Sequence, residues 1–208
     1  MNILFFQLIL ITLMTIQSVY TTEIDTESNE VSNVKNESSK YGSLSGPEYL
    51  WLDNTRKCYR DVYTDDVNNV YRPVNVGENY YGQPYHVGKA CQSSHILPGR
   101  VECNDNRGYI SIGYNDREFT TNHFKMLMMN VHTNYHWMPA SHGHVPLNAV
   151  EGGAYQCEIL YIGRAYYQNK LLPGKIHPGN RCCYITWEGR EIPIQNYEVL
   201  VTGRIDYF

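Results

Sequence analysis

The stretch whose reading decides the fold is "VPLNAVEGGAYQCEILYIGRAYYQNKLLPGKI", Val145 to Ile176, because a weaker copy of it stands earlier as "YRPVNVGENYYGQPYHVGKACQSSHILPGRV", Tyr71 to Val101. Laid over one another, Pro146 meets Pro73, Asn148 meets Asn75, Gly152 meets Gly77 and Tyr155 meets Tyr80. Further on, Gly163 meets Gly88, Ala165 meets Ala90, and Leu172-Pro173-Gly174 meets Leu97-Pro98-Gly99. Tyr184-Ile185 is then set against Tyr109-Ile110, Glu191 against Glu118, Tyr197 against Phe124 and Leu200 against Leu127. The matched residues are Gly and Pro interleaved with apolar positions, so what is repeated is a backbone path together with its core face.

Within the clearer copy, Leu160, Ile162 and Arg164 alternate with Ile159, Tyr161, Gly163 and Ala165, the period of a strand. A turn at Gln168-Asn169-Lys170 follows, then Leu171-Leu172, a tight bend at Pro173-Gly174, and a resumed strand at Lys175-Ile176. His177-Pro178-Gly179-Asn180 turns into a strand from Cys182 to Trp187; Glu188-Gly189-Arg190 closes a hairpin to Glu191–Ile194, and Tyr197 to Thr202 is the last strand. The first copy supplies Tyr85 to Ala90, Gly108 to Ile112 and His123 to Met128. Roughly eight to ten strands result, with almost no helix signal. A unit of about 75 residues present twice is not a solenoid. The expected fold is all-β: two repeats related by a pseudo-twofold, packed as one sandwich or prism-like domain with short turns and one core.

The 208 residues fit one ordinary domain with extensions. Nineteen Tyr, 16 Gly and 9 Pro suit a turn-rich β protein with half-buried rings. The formal charge of −4 is local, since residues 23–48 hold six acids and two bases and leave 15 of each from Tyr49 onward. Without a basic stripe, nucleic acid is excluded as a partner. Residues 1–18 read as a signal peptide, because the apolar run Ile3 to Ile16 falls short of the roughly 20 residues of a membrane span. Secretion to the extracellular space and no membrane insertion are expected. Residues 19–48 form an acidic spacer too poor in aromatics to offset chain entropy, hence disordered, with a glycosylation sequon at Asn36-Glu37-Ser38. The β domain takes residues 49–208, repeat one about 70–130 and repeat two about 137–201.

All six Cys, namely Cys58, Cys91, Cys103, Cys157, Cys182 and Cys183, follow the spacer. An even count behind a leader argues for disulfides, and Cys91 with Cys103, flanking one hairpin turn, is the local pair expected first. Metal is disfavoured, since no pair has C-x-x-C spacing and adjacent strand residues point to opposite faces.

In order along the chain, "HVPLNAVEGG", "ILYIGRAYY", "LLPGKI" and "YEVLV" resemble the DM-nine tandem repeat, a module also found as the amino-terminal part of natterin-like proteins. The resemblance covers Trp137 to Val201 closely and Tyr71 to Met128 weakly. It implies a pair of repeats folded as one all-β domain and, in some members, lectin activity toward mannose-type glycans, with roles in innate recognition of microbial surfaces, saliva or venom. In lectin-like members an acid follows the Gly-rich turn and the lysine of PGK donates. This chain keeps Lys175 and Gly152-Gly153 but has Ala154 at the acid; in the first copy Asn79 and Arg100 take those places. The implied ligand set is therefore Lys175, Gly153, Arg100 and Asn79, with Lys89 and Arg164 as further donors matched between the copies. Tyr80 and Tyr155 read as paired core aromatics, with stacking platforms for a sugar ring as the alternative. On this reading, Lys175→Ala weakens glycan binding and leaves thermal unfolding nearly unchanged.

Other constellations carry less. His132 and His136 have i, i+4 spacing in a segment that also holds His142 and His144, but no acid stands beside the first and the segment reads as a linker. Ser141, His142 and Asp116 make a triad on paper without a nucleophile elbow. No catalytic residue, metal or cofactor is expected. The reading is a secreted, non-catalytic protein that recognises glycans or glycoproteins at two pseudo-equivalent sites, as a homodimer or on clustered ligands. The alternative is a sugar-silent secreted interaction protein that keeps the fold and not the pocket.

Overall fold

The computed structural model describes residues 46–53, 63–64, 69–104 and 107–203, and every regular element among them is a strand. The leader, the spacer with its Asn36 sequon, and Cys58 lie outside these residues. The first half runs β1 (Tyr49–Asp53), β2 (Tyr63–Thr64), β3 (Val70–Pro73), β4 (Asn75–Glu78), β5 (Pro84–Gln92), β6 (His95–Asn104), β7 (Arg107–Tyr114), β8 (Arg117–Thr121) and β9 (Lys125–Asn130). The second runs β10 (Tyr135–Ser141), β11 (Glu151–Tyr155), β12 (Glu158–Tyr167), β13 (Lys170–His177), β14 (Cys182–Trp187), β15 (Arg190–Ile194) and β16 (Asn196–Thr202). Sixteen strands exceed the sequence expectation because β1 to β4, β10 and β11 carry little alternation of their own. His136 lies within β10, so the histidine segment is partly strand rather than linker, and the i, i+4 pair is not on a helix.

Antiparallel pairing makes the two halves copies of one another. The meander β5-β6-β7-β8 is matched by β12-β13-β14-β15, and β1 pairs β9 as β10 pairs β16, setting Trp51 opposite Leu127 and Trp137 opposite Leu200. The sheet crosses from one half to the other where β8 meets β15, with Arg117 opposite Arg190, and again where β11 meets β6, with Ala154 opposite Ile96. Arg117 and Arg190 are counterparts, so the pseudo-twofold passes through their rung. Hairpin turns recur as well: Ser93-Ser94 and Gln168-Asn169, then Asn115-Asp116 and Glu188-Gly189, all have two successive positive φ angles. That is the turn whose twist matches its flanking strands.

Register corrects three details of the sequence match. Gly99 faces Ile112 and Gly174 faces Ile185, so the counterpart of Tyr184-Ile185 is Ser111-Ile112 rather than Tyr109-Ile110. Both first strands carry a bulge, after which Gly77 faces Tyr85 and Gly153 faces Leu160. Gly77 thus corresponds to Gly153, not Gly152, and Glu78 rather than Asn79 corresponds to Ala154. Third, Pro173-Gly174 does not bend the chain. It lies inside β13, as Pro98-Gly99 lies inside β6. The glycines are there for close approach: a Cβ on Gly99 or Gly174 would run into the backbone carbonyl of Ser111 or Tyr184 on the next strand.

β12 shows why the halves cannot part. Leu160 belongs to a cluster with Leu97, Val101 and Ile110 of the first half. Ala165 packs with Leu172, Ile176 and Val199, joined by Tyr85 from the first half. Ile162 joins Val74, Val87 and Leu127 of the first half and Leu200 of the second in a third cluster at the boundary. The middle of β12, Leu160 to Ala165, is buried or half-buried on both faces, and it reads as near-continuous apolar sequence.

Cysteine pairing departs from expectation. Cys103 is disulfide-bonded, but Cys91, Cys157, Cys182 and Cys183 are free thiols. The Cys91–Cys103 pair is ruled out by the hairpin ladder: Cys91 faces Ile96 near the turn, whereas Cys103 lies beyond the Tyr85–Glu102 rung at the open end. Burial pushes the thiols of Cys182 and Cys183 up, Cys183 the more strongly because it is wholly enclosed.

Two outcomes follow from this packing. Gly153→Ala drives a Cβ into the Ile96 carbonyl and is expected to lower unfolding free energy by about 1–3 kcal/mol in urea titration, with Gly77→Ala similar against Leu171. In native protein, Ellman's reagent is expected to modify the exposed Cys91 and Cys157 promptly and the buried Cys182 and Cys183 only after denaturation.

Candidate functional site

Lys175 and Arg100, counterparts in β13 and β6, are 4% and 8% exposed. Buried cations persist only where their donors are satisfied. The Lys175 ammonium donates to the Gly113 carbonyl at 2.5 Å and pairs with Glu191 Oε1 at 2.7 Å. Glu191 Oε2 accepts the backbone N–H of Asp116 at 3.1 Å. Arg100 repeats the arrangement across the pseudo-twofold. Its Nη1 donates to the Thr186 carbonyl at 2.5 Å and its Nη2 to Glu118 Oε1 at 3.2 Å, while Glu118 Oε2 accepts the Gly189 N–H at 2.8 Å. Each cation pairs with the acid of its own repeat and reaches a carbonyl of the other.

The two places then diverge. Arg100 Nε is also engaged, at 3.0 Å from Glu102 Oε1, so each guanidinium nitrogen has a partner, although three acceptors serve its five N–H bonds. Lys175 has three N–H bonds and, among the described residues, two hydrogen-bond acceptors, with the Tyr184 ring centre 5.5 Å from its nitrogen. Beside it lies a cavity of about 210 Å³, into which repeat one contributes the Tyr114-Asn115-Asp116 turn and repeat two contributes Tyr155, His177, Asn180 and Tyr184. Tyr155 stacks at 4.4 Å on His95 and stands 5.6 Å from His177 and 6.3 Å from Tyr114. Burial, then the hydrogen bond with Cys182, pushes Tyr184 up to about 12, so its phenol keeps its proton at neutral pH. The Tyr184 oxygen accepts from Asn180 Nδ2 at 3.1 Å. A donor ammonium, acceptor carboxylates, an amide and aromatic faces thus surround one small space.

Other residues singled out from sequence fall elsewhere. Arg164 pairs with Glu198 at 2.5 Å under Trp137, its guanidinium 4.4 Å from the ring centre. Lys89 lies over Trp51 at 4.1 Å on the first-half counterpart of that face. Gly153 serves the contact between β11 and β6, where any side chain would strike Ile96. Asn79 is committed to its own turn: its Oδ1 accepts the N–H groups of Tyr81 and Gln83 and its Nδ2 donates to Gln83. Tyr80 is not a core aromatic. It is 73% exposed, with Lys170 over its ring at 4.1 Å. No hydrogen bond joins Ser141, His142 and Asp116. Sequence reasoning aligned Glu191 with Glu118 but missed their roles; a repeated acid at the start of a strand behind a tight turn was the available signal.

A family model described as the DM9 repeat matches residues 79–194 and 155–207. Natterin-3 from Thalassophryne nattereri is 35% identical over 91 residues, 43% of this chain, and the chain spans only 23% of the length of that relative. The crystal structure of the nematode sperm cell motility protein MFP2B superposes with a TM-score of 0.57 at 16% identity, over 83% of this chain and 51% of MFP2B. At that identity the likeness is one of fold alone.

Because Lys175 is buried and joins the repeats, its removal will not be silent. Lys175→Ala strands the Glu191 carboxylate and is expected to destabilise by about 3–5 kcal/mol in urea unfolding. Asn180→Ala, at the cavity rim, is expected to stay within about 0.5 kcal/mol.

Proposed function

Since the chain belongs to the DM9 repeat family, we propose that it is a secreted, non-catalytic recognition protein that binds a glycan, of mannose type by family resemblance, in the cavity between its repeats. The observation that carries this reading is a buried Lys175 beside that cavity, with two acceptors among the described residues for its three N–H bonds. Neighbouring sugar hydroxyls each donate and accept. They would accept from Lys175 and the Asn180 amide, and donate to the carboxylates of Asp116 and Glu191. The tyrosine rings, Tyr155 foremost, would cover the C–H face of the pyranose.

The two repeats are unequal in this reading. Lys175 heads the competent site, and Arg100, with all three nitrogens engaged, serves chiefly to hold the halves together. One weak site per chain gains most from clustered ligands, so glycoprotein or microbial surfaces, met by a homodimer, are the partners that fit. A sugar-silent interaction protein is the second reading, favoured by Ala154, which leaves repeat two without the acid that lectin-like members carry after the Gly-rich turn.

The test is a glycan array with the full chain and with a double variant, Asp116→Ala with Asn180→Ala, chosen because neither residue makes the buried ion pairs. Saturable binding to a defined glycan set that falls about tenfold or more in the double variant is the expected result. A flat array from folded protein would sink the glycan reading and favour the second.

A further inference from the structure

A second cavity lies apart from the one beside Lys175. β5 pairs with β9 only at Gly88–Met126 and Lys89–Lys125, although β5 continues to Gln92. Beyond that last rung opens a cleft of about 430 Å³, whose apolar lining comes from Ala90, Ile96 and Phe124 and whose floor carries Lys89, Lys125 and Asp53. His123 and Cys91 complete its rim.

The rung itself is unusual. Lys89 and Lys125 stand directly opposite one another, an arrangement of like charges that destabilises a strand pair. Neither lysine has an ion-pair partner among the described residues, and burial, then the Lys125 charge, holds the Lys89 ammonium below its ordinary value. The second half shows how the same rung is completed. There Arg164 stands opposite Glu198 and is neutralised by it at 2.5 Å. The third residue of the row is Asp53 facing Lys125 in the first half and Pro139 facing Glu198 in the second. Two lysines with one aspartate leave the first row at +1, whereas arginine with glutamate leaves the second at zero. Among the described residues this row is short of one negative charge, next to an apolar cleft.

We propose that this cleft binds a small organic monoanion with an apolar body, whose carboxylate supplies beside Lys89 and Lys125 the negative charge that Glu198 supplies to Arg164 in the other repeat. The volume lies in the range of small-ligand pockets, and the open end lets an aliphatic or aryl tail lie along Ile96 and Phe124. Asp53 flanks Lys125 from the far strand, so the anion approaches from the Lys89 side.

Isothermal titration of the full chain with sodium octanoate tests this. One saturable site per chain is expected, weakened about tenfold or more by Lys125→Glu. That variant gives Lys89 an opposite charge but sets a carboxylate across from Asp53, so its thermal unfolding should change little. Octanol, which has the tail without the charge, and acetate, which has the charge without the tail, should each bind about tenfold more weakly than octanoate. The proposal is overturned if octanoate does not saturate, if Lys125→Glu leaves its affinity intact, or if octanol or acetate matches it.

Discussion

The rest of the molecule depends on a reciprocal contact: a cation buried in each repeat, paired with its own acid, donating to a backbone carbonyl of the other repeat. A buried ammonium or guanidinium is costly unless its hydrogen bonds are nearly complete. Neither repeat completes them alone. Gly113 and Thr186, the two accepting carbonyls, sit at the ends of β7 and β14, beside turns whose N–H groups hold the two glutamates in place. Charge satisfaction therefore requires both halves in one register. The shared apolar cluster around Val87, Leu127, Ile162 and Leu200 supplies the non-directional part of the same union.

From this symmetric frame a chemical asymmetry comes through one substitution in type. Arginine presents a planar fork that reaches three acceptors, and at position 100 it does so. Lysine offers a compact ammonium with three donors, of which two are used at position 175. The same fold position is consequently a fastener in both repeats, and in the second it also borders a cavity. Counterpart residues also diverge at the outer rung, where Lys125 stands for Glu198.

Much of the fold was legible in sequence because Gly and Pro recur with the apolar residues, and β14 falls where its residues predict it. What was not legible was register. A slip of two residues, as in setting Tyr184 against Tyr109, leaves every side chain on the same face, so the hydrophobic pattern cannot reveal it. A slip of one, at the bulge before Gly77 and Gly153, exchanges faces, and it assigns the position after the glycine to Glu78 instead of Asn79. The candidate site was half legible for a related reason. Lys175 is marked by its motif, but Asp116 and Tyr114 come from the other repeat, sixty residues away in sequence, and only the pseudo-twofold brings them to it.

The rung at Arg117 and Arg190 bears on how such a pair of repeats can change. In a dimer of identical chains, a residue on the twofold always meets itself, and every mutation there is made twice. Here the two arginines are exposed, separately encoded members of one polypeptide. A single codon change can turn that rung into a complementary pair, which no symmetric dimer can do. Covalent fusion thus frees the centre of the molecule from the symmetry that its architecture still displays.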